Sequence, residues 1–200
     1  MFPQNFLEAR RIYESCETWQ EPRRRPHPEV VGPIENAANS YQKLGRVEEA
    51  LKLHLDTLPT VEKLYGEQHE RVAQGWYNIA VCYDELHRRE EALGAYSKAS
   101  VAYEQVYGPG CSAVAYIQHQ IAKVNTEMGR LDEAMHLLRK ALRTQAMHAS
   151  SREAGTLPSG CSGSNPADEF GSLLLELDIR LRIQFVQQEA HRARSVGRFQ

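Results

Sequence analysis

Eight histidines and four cysteines are the side chains in this 200-residue chain from which metal binding or covalent catalysis would start. Their spacing supports neither. Cys16, Cys82, Cys111 and Cys161 are 66, 29 and 50 positions apart, with no CxxC and no histidine pair at zinc-ligand spacing. His136 and His148 share a helical pattern but are separated by 12 positions, which gives no close metal pair. Cys82 and His119 can be drawn as a dyad, but a cysteine in a helical core ordinarily serves packing. No GxSxG, P-loop or HExxH run occurs, and Gly155, Gly160 and Gly163 fall in a linker-like stretch. No catalytic residue, no metal and no cofactor are expected of this chain.

Composition narrows the class further. The chain is 42% hydrophobic and 25% charged, ordinary for a globular protein, and its net charge of −2 gives no nucleic-acid footprint. The basic runs Arg23-Arg24-Arg25 and Arg192/Arg194/Arg198 lie near the ends and lack interleaved aromatics, so they read as solvated charge. No stretch of 18 apolar residues occurs, and the start MFPQNFLEARR carries no apolar signal core. The expected setting is a reducing cytoplasm with free thiols, and neither nucleic acid nor membrane is an expected partner.

The elements that position these side chains repeat. Aligning residues 27–68 with 69–110 without gaps gives 14 identities in 42 positions, where chance gives roughly two or three. Residues 111–152 keep the pattern more loosely: GRVEEAL at 45–51 returns as HRREEAL at 87–93 and GRLDEAM at 129–135. Each copy has two apolar-periodic segments around a short polar break, the pattern of a helical hairpin. Trp76, Ile79, Ala80 and Tyr83 share one face of the first helix of copy two, and Ala92, Tyr96 and Ala99 one face of the second. Small residues recur as Ala38, Ala80 and Ala122 and again as Ala50, Ala92 and Ala134, with Ala141 one period after Ala99; they let two backbones approach. Gly45 and Gly129 suit a left-handed cap at the break, and His87 occupies that place in copy two.

The order Trp76–Ile79–Ala80–Tyr83…Ala92–Tyr96–Ala99 resembles the tetratricopeptide repeat, here at a period of 42 rather than the usual 34. That length, the openings His27-Pro28-Glu29-Val30 and His69-Glu70-Arg71-Val72-Ala73, and the exits LYGEQ and VYGPG are similar to the kinesin light chain class of repeat. The resemblance implies an all-α fold, a right-handed α-solenoid of stacked antiparallel hairpins over 27–68, 69–110 and 111–152. Pro59 departs from it and is expected to kink its helix by removing a bond to Leu55. Copy three has Gln118 and Asn125 where copy two has Trp76 and Tyr83, while copy one has Tyr41 at the latter place; copy three is expected to pack less tightly.

Residues 1–26 read as a partial preceding repeat or a capping helix. Residues 149–167 are rich in Ser, Gly and Pro, with 153–166 taken as the flexible linker proper. An amphipathic helix follows over 167–194, with Phe170, Leu173, Leu174, Leu177 and Leu181 on one face, widened by Ile179, Ile183 and Val186; 195–200 form a tail. That helix reads first as a cap on the last repeat and second as an element that docks on a partner or in the chain's own groove.

In such a stack the first helices line the concave face. The residues rotated off the packed stripe are Glu35, Asn39 and Gln42 in copy one, Tyr77, Asn78, Val81 and Asp84 in copy two, and His119, Gln120, Lys123 and Thr126 in copy three. Amides there suit the backbone of an extended peptide, which both donates and accepts. Some proteins of the resembled family clamp a terminal carboxylate with Lys, Arg and Asn; here Glu35 stands where such a clamp would want Lys and Lys123 is the only base of the face, so the resemblance does not extend to that mode. The expected function is a scaffold or adaptor holding a protein or peptide ligand. The resemblance implies cargo adaptation, with kinesin or other cytoskeletal components as partners; the alternative is a regulatory array of a larger signalling protein.

Overall fold

The structure, a computed structural model, describes residues 28–156, 179–180, 182–189 and 191. All regular elements among them are α-helices: α1 (Pro28–Lys43), α2 (Val47–Tyr65), α3 (Glu70–Glu85), α4 (Arg89–Tyr107), α5 (Ser112–Glu127) and α6 (Leu131–Glu153). The described residues between 179 and 191 are helical as well. The first helices start at 28, 70 and 112 and the second at 47, 89 and 131, so the 42-residue period is carried by the helix boundaries themselves. The expectations for residues 1–26, His27, 157–178, Leu181 and 195–200 lie outside the described residues.

The hairpin joint shows why the period holds. At each break one residue turns left-handed: Gly45 (φ 74°), His87 (φ 58°) and Gly129 (φ 75°). The next amide reaches back over the turn, from Arg46 to the Tyr41 carbonyl, Arg88 to Tyr83 and Arg130 to Asn125, each at 2.9 Å. That long bond closes a helix end and frees the chain to reverse. In the first two joints the same arginine lies over the tyrosine ring, Arg46 on Tyr41 and Arg88 on Tyr83, each 4.7 Å from the centroid. Glu49 and Glu91 then hold those guanidinium groups at 2.7 and 2.8 Å. The motif Tyr-x4-Arg-x2-Glu is thus a clamp across the turn.

Small residues set the packing distance. Ala38, Ala80, Ala122, Ala50, Ala92, Ala134, Ala99 and Ala141 are all fully buried. The chain divides into two compact units, Met1–Ala95 and Tyr96–Gln200. In the first, α2 packs between α1 and α3. The approach of α3 is close enough that a Cβ added at Gly75 would lie 2.8 Å from Leu58 Cδ1.

In the second unit α5 packs on α6. Ile179 and Val186 are fully buried in one cluster with Ala122, Leu138 and Ala141, and Leu131, Met135, Leu137, Leu142 and Ile183 pack around it. Ile179 and Val186 thus lie over the third hairpin.

Helix α2 continues through Pro59, with Pro59 and Leu55 both facing solvent, where water can satisfy the freed Leu55 carbonyl. Two expectations are corrected. The third copy is not loosely packed: Gln118 and Asn125 are 2% and 5% exposed. Their polar atoms are paired, Asn125 Nδ2 donating to the Ile121 carbonyl at 3.0 Å and Thr144 Oγ1 to Gln118 Oε1 at 3.3 Å. Residues 149–153 are helix rather than linker; α6 ends beyond them on Gly155 (φ 66°), with Thr156 N–H reaching the Ser151 carbonyl at 2.9 Å.

Candidate peptide-binding face

Two rungs join the first helices of successive hairpins in the first unit. At one end Arg71 Nη1 lies 3.8 Å from Glu35 Oε2. At the other, Gln42 Nε2 donates to Glu85 Oε1 at 2.8 Å. Glu35 and Gln42 are seven residues apart on α1, so two turns of one stripe face α3. Asn39 lies between them, exposed. On α3, Asn78 is seven residues from both Arg71 and Glu85, which places it midway between the rungs as well.

The local electrostatics fix this ladder. Arg71 also lies over the Tyr65 ring, 5.2 Å from its centroid, so its guanidinium is held from two sides. Its backbone amide donates to His69 Nδ1 at 3.2 Å, and the His69 ring sits 4.8 Å from that of Tyr65. His69 is therefore the N-cap of α3, the turn role its recurrence predicts. Burial raises the Glu35 carboxyl above the usual carboxylate range while Arg71 opposes that rise. Gln74 Nε2 donates to Asn78 Oδ1 at 3.0 Å, which orients the Asn78 amide with its N–H groups available.

The predicted residues separate accordingly. Glu35 and Gln42 are in rungs, Asn39 is exposed, and Tyr77, Asn78, Val81 and Asp84 are half-buried on α3. The α5 residues belong to the second unit. There Gln120, Lys123 and Thr126 are half-buried, with Thr126 Oγ1 donating to the Ala122 carbonyl at 2.8 Å. His119, expected on the open face, is only 5% exposed and is packed away.

Arg71, Gln74 and Glu85 escaped the sequence reading. The expected face is drawn helix by helix from positions rotated off the packed stripe, whereas Glu35 and Gln42 meet Arg71 and Glu85 on the next helix. A helix with neighbours on both sides presents a different stripe to each.

Among the described residues cysteine chemistry finds no support. Cys82 and Cys111 are buried free thiols. Burial, with Glu85 adding to it, pushes the Cys82 thiol up to about 12, so about one part in 100,000 is thiolate at neutral pH. Among the described residues no group of three His, Cys, Asp or Glu side chains is placed to hold a metal. No described helix is long and apolar enough to cross a membrane.

Comparison with known proteins agrees with this fold. The tetratricopeptide repeat family profile matches residues 33–105 and 76–146. No curated protein matches the chain. Among solved structures, BtubC (BKLC) from P. vanneervenii superposes with a TM-score of 0.64 at 20% identity, covering 98% of this chain and 75% of that one. The kinesin light chain TPR-like repeats of Podosopora anserina give 0.61 at 17% identity, covering 97% and 87%. PcrH of Pseudomonas aeruginosa, in complex with the chaperone-binding region of PopD, gives 0.57 at 15% identity, covering 84% and 98%. These likenesses are of fold, that of a helical-repeat solenoid. With more than half of its length matched by the family profile, the chain belongs to the tetratricopeptide repeat family.

Proposed function

We propose that this chain is a protein-interaction scaffold that holds an extended peptide along the α1/α3 face. The observation that carries the reading is the pair of rungs, Glu35–Arg71 and Gln42–Glu85, with Asn39 and Asn78 between them. The rungs order two helices before any ligand arrives, so binding needs little further ordering. The amides match a peptide backbone, and Tyr77, Val81 and Asp84 on the same helix are the residues that select its side chains. That a similar fold, PcrH, is seen holding a segment of PopD supports a peptide ligand.

The 42-residue period and the likeness to kinesin light chain repeats favour a cargo adaptor acting in the cytoplasm, with kinesin or other cytoskeletal components as partners. The second reading, a regulatory array of a larger signalling protein, rests on the same fold. The full reading frame separates them: a coiled coil joined to the array supports the adaptor, a P-loop domain the regulator.

Selection of a random peptide display library tests the face itself. Peptides selected on the wild type are expected to bind the Asn39→Ala/Asn78→Ala variant about tenfold more weakly. Equal binding to both proteins would overturn the assignment.

A further inference from the structure

We propose that the solvent-facing side of α6 is a second docking surface, for an acidic helix of a partner protein. Arg139, Lys140 and Arg143 are all exposed there and lie within little more than one turn. None of the three makes an ion pair or hydrogen bond with a described residue. Elsewhere exposed arginines are engaged: Arg46 with Glu49 and Tyr41, Arg88 with Glu91 and Tyr83, Arg71 with Glu35 and Tyr65.

Among the described residues the stripe has no structural compensation. No Asp or Glu lies three or four positions before or after any of the three cations, so the helical neighbours of Arg139 and Lys140 include only more positive charge at Arg143. The C-terminal end of α6 is ten residues past Arg143, about 15 Å, where the helix dipole no longer rewards a cation. The other copies do not carry the feature. One period earlier the positions are Ser97, Lys98 and Val101, and one before that Leu55, Asp56 and Pro59. A concentration of charge on one copy, absent from its siblings and unpaired among the described residues, points to a ligand rather than to the fold.

The chemistry of the partner follows. Arg139 and Arg143 are one turn apart, about 6 Å, the spacing of carboxylates at successive turns of a facing helix. Met147, one turn further and 50% exposed, offers an apolar contact at the end of the stripe. Three cations are fewer than the clusters that hold an anionic membrane or a nucleic-acid backbone, and no aromatic is interleaved among residues 139–147 for base stacking. An acidic amphipathic helix meets both the charge and the Met147 contact. This surface is distinct from the α1/α3 face, and either assignment can fail without the other.

The test uses the full chain and a fluorescein-labelled alanine-rich helix with three glutamates one turn apart and a leucine on the following turn. Binding is read by anisotropy at low salt. The Arg139→Gln/Lys140→Gln/Arg143→Gln variant is expected to bind about tenfold more weakly, with an unchanged circular-dichroism spectrum. The Lys98→Gln variant, altered at the equivalent place on α4, is expected to bind as the wild type does, and a glutamine version of the peptide is expected not to bind. Equal affinity of the triple variant, or absence of binding to the glutamate helix, would overturn the proposal. So would stronger retention on phosphatidylserine vesicles or a DNA duplex, which would reassign the stripe to that ligand.

Discussion

His54 is 4% exposed, and its Nε2 has no hydrogen-bond partner. Burial lowers its pKa to about 4. Below its ordinary value of about 6.5 the unfolded chain takes up a proton that the folded one refuses. Stability contributed by the neutral ring is therefore present above that value and lost as pH falls towards 4, by at most about 3 kcal/mol. Urea unfolding across this range is expected to show the loss in the wild type and a flatter profile in His54→Leu. The position was legible: one and two periods on stand Tyr96 and Leu138, both buried, so a core residue was due there. His87 was legible for the opposite reason, because glycine holds its place in the sibling joints. Its φ of 58° is costly for a residue with a Cβ. His87→Gly is expected to raise stability by about 1 kcal/mol, read by thermal melting.

At the level of elements, the 42-residue spacing made helix number and boundaries readable, because each joint needs a left-handed residue and a following arginine at fixed places. What could not be read was which stripes meet, since that depends on how far each helix is rotated about its axis. The Glu35–Arg71 and Gln42–Glu85 rungs are such meetings. The end of α6 was misjudged because serine and glycine composition outweighed the capping pattern that closes the helix at Gly155. Two helical glycines separate packing from propensity. Gly94 has nothing within 4 Å of an added Cβ, so Gly94→Ala is expected to stabilise the protein by about 0.5–1 kcal/mol. At Gly75 the same Cβ would meet Leu58, and Gly75→Val is expected to destabilise by about 1–3 kcal/mol. Chemical denaturation of the pair measures both signs.

On the scale of the whole molecule, the chain is two compact units, with α1, α2 and α3 packed in the first and α5 on α6 in the second. In the second, Ile179 and Val186 cover Leu138 and Ala141, where a further repeat would otherwise dock. The amphipathic pattern made such a cap readable, but only packing could choose between cap and partner-binding helix. Ile179→Asp/Val186→Asp is expected to raise binding of a hydrophobic dye and to drive self-association on sedimentation; a monomer with unchanged melting would contradict the capping role. The polar core of the third hairpin was misread as weakness because a sequence shows Gln118 and Asn125 without their partners Thr144 and the Ile121 carbonyl.

The peptide-binding account stands on Asn39 and Asn78, whose side-chain amides give separate signals in a nitrogen–proton correlation spectrum. Titrating the full chain with a peptide selected on the wild type is the direct measurement. Both amide pairs are expected to shift and saturate together with the Tyr77 and Val81 backbone signals. Saturation with Asn39 and Asn78 unmoved, and shifts confined to α2 or α4, would contradict it.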